Sequence, residues 1–524
     1  MSRLLGIDLG TTSFKAVIYD EHGNTLSSSR VPPPDEQIIV DGFRVTVWRP
    51  EKLWEAVCAL VRRAVGALPD PSLDAVAIAE LGLVGYPVND SGNTLYAGVT
   101  WIDPAAQTSR AFSGCGLDDG TLFSITGNHL SPIYPPAWIT WMSEHEPSYS
   151  RGMTRWLNVG DYVAYRLCGE MALDYSMASQ TTMFDQRSMT LRADLLRSVG
   201  LDQTLFPAPR LAGTPLGGVL PAAAAATGLT AGLPVVLGGA DFSCGAYAAG
   251  FLDAGDTAIV TGTWEIVVVC SDLPQLGPAL RECGAICDVH VAPGRWSTRI
   301  ENLSGDVTEW YRRLISEQGS AGSADGDMGW QPLIEMAEAA DAGSNGVIFV
   351  PHVFGSYGPR HNSLARGAFV GLSGSCGRPE LTRAVFEGLS FQTRHALEAL
   401  TSGIGTSPRR VVVMGGGTKN RFWLQNKADV LGRELEVVTT PDVTPRGAAM
   451  IAGVGIGLFR DFRGAADRFA RPSTRVLPNL KLTEFYRKLY HDVYLPVLDE
   501  LAPFHSRLAI SRPPRIDADV QAVS

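Results

Sequence analysis

The sequence predicts an α/β protein made of two related halves that face each other across a cleft. Short apolar strands alternate with helix-like segments along the chain. The 524 residues exceed what one core organises, so roughly two to four domains are expected. The third observation is internal. "LLGIDLGTTSFKAVIYDEHG" (4–23) and "DTAIVTGTWEIVVVC" (256–270) share one plan: an apolar strand, a Gly-Thr turn and an apolar return strand. Such an echo at about half the chain length marks a duplicated unit.

Taken in order, the first stretch runs apolar residues into Asp8, turns at Gly10-Thr11-Thr12-Ser13, and returns through Lys15 to Asp20. "EKLWEAVCALVRRAVGAL" (51–68) has helical periodicity, with Trp54, Val57, Leu60, Val61 and Val65 near one face. "DAVAIAEL" (74–81) is a short buried strand, and "PAAAAATG" (221–228) a short helix leading to the next strand. "LPVVLGGADFSCGAYAAG" (233–250) reads as a strand, a Gly-Gly turn and a small-residue helix. "RRVVVMGGGTKNRFWLQNKADVLG" (409–432) repeats that plan, with a longer helix capped near Asn420. The boundary falls in the Gly/Ala-rich 245–256, which gives domains 1–246 and 247–500 and a tail, 501–524. The stretch near 316–328 reads as a surface loop, and 511–524 as a weakly ordered end.

Composition narrows the function. Apolar residues are 45% and charged residues 19%, a globular mix. The net charge is -10, with no basic block and no aromatic-basic interleaving, so no nucleic-acid partner is expected. No run approaches the roughly 20 apolar residues of a membrane span, so no membrane partner is expected either. No basic-then-apolar leader precedes the first strand, which points to the cytoplasm. Eight scattered cysteines fit reduced thiols. Cys283, Cys287 and His290 lack a fourth ligand and zinc-site spacing, so they read as buried side chains.

The turns carry the chemistry. A Gly-Thr-Thr turn offers closely spaced N–H groups and hydroxyls that wrap phosphate oxygens, with Lys15 as a nearby cation. Ordinary hairpin geometry uses the same residues. The second Gly-Thr turn, Gly262-Thr263, favours the phosphate reading, because two facing turns suit a nucleotide in a cleft. Asp8 fits a Mg²⁺ ligand, direct or through water, or a structural partner of the turn. In "GGAD" (238–241), Asp241 stands at a helix start, where free N–H groups and the dipole keep it ionised. It reads as an acceptor of a substrate hydroxyl proton or, by local preference, as the helix cap. "VMGGGTKN" (413–420) suits close approach of a flat ring or phosphate. It matches neither the dinucleotide fingerprint nor the P-loop.

These segments resemble the FGGY carbohydrate kinases, within the actin, sugar kinase and heat-shock chaperone ATPase superfamily, in a xylulokinase-like layout. "GAFVGLSGSCGRPELTRAVFEG" (367–388) fits the family's second signature throughout. "GGGTKNRFWLQNKADVLG" (415–432) looks like its adenine-side motif, and "TPRGAAMIAGVG" (444–455) like the helix that follows. "LCGEMALDYSMASQTTMFD" (167–185) is similar to the middle of its first domain. The resemblance implies two ribonuclease-H-like domains with an interdomain cleft, sugar in the first and ATP mainly on the second. It implies ATP contacts from Thr11, Thr12, Ser13, Lys15, Gly262, Thr263, Gly305, Gly416, Gly417 and Asn420, with Mg²⁺ at Asp8. It turns Asp241 from a cap into the catalytic base, with Glu80, Trp101, Asp103, Asp241 and Phe242 around the sugar. A homodimer is an admissible assembly.

The departures cluster on the sugar side. "WIDPA" (101–105) keeps Trp101 and Asp103 but has Ala105 where the family has Arg. Glu80 stands where a Gly-Gln motif is usual, Trp138 where Lys is frequent, and Ser356 and Asn362 follow "PHVFG" in place of acidic residues. Losing an Arg and gaining Glu80 makes the pocket less cationic, which disfavours an acid sugar. The expected substrate is a neutral sugar or polyol, a pentulose or other ketose first. A sugar-binding sensor and a chaperone-like ATPase are the rival readings. The 367–388 signature opposes the second, and intact Asp241 with both phosphate turns opposes the first.

Overall fold

A computed structural model describes residues 2–100, 111–113, 115–316 and 329–510. Two mixed sheets organise it. The first holds β1 (Arg3–Leu9), β2 (Phe14–Asp20), β3 (Thr25–Val31), β4 (Ala75–Glu80), β5 (Pro215–Gly218) and β6 (Pro234–Ala240), in the order β5-β6-β4-β1-β2-β3. β1 pairs antiparallel with β2 and parallel with β4, and β4 parallel with β6. Helix α1 (Pro50–Gly66) covers one face and buries Leu53, Val57, Leu60, Val61 and Val65 among Ile7, Phe14 and Ile18. Trp54, expected on that face, is half-buried, and the Arg166 guanidinium lies 4.6 Å over its ring. Helix α2 (Asp241–Ala248) follows β6 without an intervening residue.

The second sheet holds β7 (Asp256–Thr261), β8 (Trp264–Ser271), β9 (Ile286–Val289), β10 (Trp296–Leu303), β11 (Arg410–Gly415), β12 (Leu435–Val437) and β13 (Thr474–Val476), in the order β9-β10-β8-β7-β11-β12-β13. The repeat seen in sequence is therefore a repeat of topology. In each half an antiparallel hairpin (β1/β2, β7/β8) has an antiparallel strand outside its second member and two parallel strands beside its first. Helices α3 (Arg378–Ile404) and α4 (Arg421–Leu431) pack together on the second half, joined by Phe386 and Trp423.

Helix α5 (Val443–Gly455) comes from the second half of the chain yet packs on the first sheet, with Ala448, Ala449 and Ile451 in one core with Leu4, Val17 and Ala77. Close approach explains its small residues. A Cβ at Gly6 would stand 1.8 Å from Pro445 O, and one at Gly447 2.0 Å from Cys244 O. The same physics corrects the expected Gly-Gly turn. Gly238 and Gly239 are strand residues of β6. A Cβ at Gly238 would meet Ile78 O at 1.8 Å, and one at Gly239 the Ser176 hydroxyl at 2.7 Å, so glycine is needed for packing rather than turning. The loop expected near 316–328 lies, apart from Ser316, outside the described residues, as does the segment 511–524.

Candidate active site

The site is built from the carboxyl ends of strands in both sheets. The β1–β2 turn leaves Thr11 and Thr12 exposed and Ser13 half-buried, and the matching β7–β8 turn leaves Gly262 and Thr263 exposed. Gly305 sits directly against the second turn, its N–H donating to Gly262 O (3.1 Å) and Thr263 O (3.0 Å). A Cβ there would come within 2.4 Å of Gly262 O, so only glycine fits. Gly415, at φ +99, brings the third turn onto β7, where its own Cβ would meet Thr261 O at 2.2 Å. Gly416 faces open space, and Gly417 packs against the Thr261 side chain and the Trp423 ring. Asn420 caps α4 by accepting from Trp423 N at 3.0 Å. The second Gly-Thr turn and the glycine turn thus belong to neighbouring strands, β7 and β11.

In the first half, Asp8 and Lys15 are register partners across β1 and β2. Lys15 Nζ lies 3.4 Å from Asp8 Oδ2 and 3.5 Å from Asp442 Oδ1. Burial raises the Asp8 carboxyl to about 6, against the opposing pull of Lys15. Asp241 is the first residue of α2, and Ala240 occupies the cap position, so the capping role expected from local sequence is not the one it has. Its Oδ1 accepts the N–H of Phe242 at 2.6 Å. It is not held at an ordinary carboxylate pKa either. Burial, then the charge of Asp8, lift it to about 7, while the Phe242 N–H and Arg299 pull the other way. The expectation of a fully ionised helix-start aspartate fails because desolvation outweighs that local stabilisation.

Glu80 ends β4 between Leu9 and Ala240. It is buried, and its Oε2 accepts the N–H of Gly160 at 2.6 Å. A Cβ on Gly160 would sit 2.7 Å from the Glu80 carboxyl carbon, so the two residues are matched. Burial and then Asp161 push Glu80 well above the usual carboxylate range. Trp101, Asp103 and Ala105 lie outside the described residues. Trp138, which stands where the resemblance made Lys frequent, is buried in a helix beside Trp141. Ser356 and Asn362 exchange backbone hydrogen bonds at 3.0 and 2.8 Å, which closes their loop.

Sequence reasoning missed several groups the fold brings here. Asp161 accepts from the Asn158 amide at 2.7 Å, and Asp174 from Ser176 N, Ser176 Oγ and Met177 N. Burial raises both, Asp174 to about 6. From the second half come Arg299 and Glu301 on β10 and Asp288 on β9, with the Arg299 guanidinium 4.6 Å over the Phe242 ring. No motif announces these residues, because their proximity is made by the docking of two sheets. Cys283, Cys287 and His290 are not a coordination set: Cys287 Sγ accepts Gln275 N–H, and burial pushes His290 down to about 3.

Models of the FGGY family of carbohydrate kinases match most of the chain, the N-terminal domain over residues 3–248 and the C-terminal domain over 257–456. The chain belongs to this family. It is a carbohydrate kinase, a phosphotransferase to a sugar hydroxyl, and the family uses ATP. It is 29% identical to an autoinducer-2 kinase of Enterobacter sp. (strain 638), over 98% of this chain and 97% of that protein. It is 26% identical to a xylulose kinase of Bacillus subtilis (strain 168), over 94% of this chain and 96% of that one. The crystal structure of xylulose kinase from Rhodospirillum rubrum superposes with a TM-score of 0.85 at 26% identity, covering 96% of this chain and all of that one. The two-domain actin-like fold of this kinase is thereby established. Among the described residues no helix is long and apolar enough to cross a membrane.

Proposed function

We propose that this kinase transfers the γ-phosphoryl group of ATP to a hydroxyl of a small neutral sugar or polyol, a pentulose or other ketose first, in the cytoplasm. Residues 1–246 hold the sugar and 247–500 the nucleotide. The observation that carries the mechanism is Asp241, a carboxyl at the cleft end of β6 held at about 7. A base of pKa near neutrality is a stronger proton acceptor than an ordinary carboxylate, while about half of it stays ionised at about pH 7. As the substrate oxygen bonds to phosphorus, its proton passes to Asp241, and the β–γ bridging bond breaks toward ADP. The transition state is loose, so alignment and charge neutralisation dominate.

The donors of Thr11, Thr12, Ser13, Gly262 and Thr263, with Lys15, suit the phosphates, and the open face at Gly416 suits the adenine ring. Mg²⁺ carried with ATP supplies charge neutralisation on the phosphate oxygens. Asp8 fits it: a buried carboxyl raised by desolvation, with its nearest cation 3.4 Å away, is relieved by a divalent ion. Charge supports the substrate class. Asp8, Glu80, Asp161, Asp174 and Asp241 crowd the sugar side, and the one guanidinium described beside Phe242 is answered by Asp288 and Glu301. Among the described residues, a sugar carboxylate would meet more carboxyl groups than cations there.

The experiment is ATP-coupled turnover over a panel of ketoses, aldoses, polyols and sugar acids. Neutral ketoses or polyols are expected to turn over. Turnover confined to sugar acids would reject the substrate class. Asp241→Asn, an isostere that keeps the acceptor for Phe242 N–H, is expected to lower kcat by about a thousandfold or more while ADP affinity stays within about twofold. Wild-type kcat in that variant would remove Asp241 from the mechanism.

A further inference from the structure

The outer edge of the second sheet is fastened to the first half next to the proton acceptor. Cys287 N donates to Gly127 O (2.9 Å), Val289 N to Ser179 Oγ (3.2 Å), and Val291 N to Ser243 Oγ (2.9 Å), two residues beyond Asp241. Asn128, fully buried, donates to Asp288 Oδ1 at 3.3 Å and to Ser179 O, and accepts the Tyr134 hydroxyl at 2.9 Å. Asp288 in turn takes Nη1 of Arg299, while Glu301 Oε1 takes its Nε at 2.6 Å. Two carboxylates, one of them tied to the first half, therefore fix the plane of a buried guanidinium. Its central carbon lies 4.6 Å from the centroid of the ring of Phe242, whose N–H is the donor on Asp241 Oδ1.

We propose that Arg299 is a positioning residue for the proton acceptor: from the second half it clamps the Phe242 ring, and through Phe242 it sets the carboxylate of Asp241. The cation–π contact restrains the ring, and the ring restrains the first turn of α2. The base is then aligned only while the β9–β10 edge sits on the first half. Sugar-side alignment is thereby tied to the docking of the nucleotide-side domain. This inference rests on Asp241 being the base.

The test is a double-mutant cycle between Arg299 and Phe242, read as kcat at saturating ATP with the panel sugar of highest kcat/KM, alongside ADP affinity by calorimetry. R299M is expected to lower kcat by about tenfold to a hundredfold, the scale of a small misplacement of reacting groups. ADP affinity is expected to stay within about twofold. In the F242L background the same substitution is expected to cost less than about threefold, because the ring it clamps is gone and only its direct charge effect on Asp241 remains. R299K keeps a charge for Asp288 and Glu301 but not the forked guanidinium over the ring, and its expected kcat lies between wild type and R299M. That variant carries the test if R299M fails to fold. Equal losses from R299M in both backgrounds would overturn the proposal, as would a parallel fall in ADP affinity or an R299K indistinguishable from wild type. Turnover by Asp241→Asn, or no turnover of any panel sugar by wild type, would instead overturn the reading beneath it.

Discussion

Asp241 illustrates what a single residue owes to its neighbours. Its type and its place after two glycines were legible, because a carboxylate at a helix start beside a cleft is a recognisable arrangement. Its protonation was not. The two largest influences are burial and Asp8, and Asp8 reaches it from a strand 233 positions earlier in the chain (241 − 8). The consequence is a pH dependence with a definite sign. As the proposed base, Asp241 must be deprotonated to act, and it is held at about 7, so kcat/KM for sugar is expected to fall about tenfold per pH unit below 7 and to level above it. Glu301→Gln removes a neighbouring negative charge that raises the base, so the acid limb should move to lower pH. A pH–rate profile of both enzymes checks this, and a limb left in place by Glu301→Gln would show that Glu301 does not act on the base. Glu80 gives the complementary case. Its presence was legible, but its bond to Gly160 N–H joins residues 80 apart and depends on how β4 meets a distant helix.

At the scale of elements, alternation and periodicity placed β1, β2, β4, β11, α1 and α4 where they occur, because each buries one patterned face against a neighbour. The glycine pairs were harder. "GGAD" and "MGGGT" look alike, yet Gly238 and Gly239 lie inside a strand while Gly416 and Gly417 form a tight turn. Local sequence cannot separate them, since the difference is the atom that stands opposite. This yields a paired expectation. Gly238→Ala drives a Cβ into a backbone carbonyl at 1.8 Å and should destabilise the fold by about 3 kcal/mol or more, seen as a lower denaturant midpoint or as loss of folded protein. Gly416→Ala meets nothing within 4 Å in the protein and should leave that midpoint unchanged while weakening ADP binding by about tenfold, because the methyl occupies the open face. Calorimetry and chemical denaturation on the same two variants check both. Equal effects on stability would refute the distinction.

For the whole molecule, the two halves are not separable along the chain. α5 belongs to the second family domain by sequence but completes the core of the first sheet. The first half therefore lacks part of its core without residues 443–455. Buried carboxyls add a linkage at this scale. Asp241, raised to about 7, binds its proton more tightly folded than unfolded, so that contribution to stability is present at low pH and lost as pH rises through 7. Buried His352 and His395, lowered to about 4, act oppositely, but only below the unfolded histidine range near 6.5. Between about pH 6.5 and 8 the thermal midpoint is accordingly expected to fall, and to fall less in Asp241→Asn. A scan of both proteins across that window decides it, and identical slopes would count against a titrating Asp241.

By itself, the sequence determined the class of the molecule: two duplicated α/β halves, a Gly-Thr turn after the first strand of each and, through the resemblance of residues 367–388 to the FGGY signature, a sugar kinase. The halves and their turns are local properties, set by side-chain period, turn chemistry and spacing. Only the tertiary structure decided the electrostatics of the site, the role of the paired glycines, and the arrival of Arg299, Asp288 and Glu301 beside Phe242 and Asp241. Those depend on which surfaces exclude water and which backbones approach within van der Waals contact, and both are set by strands far apart in the chain.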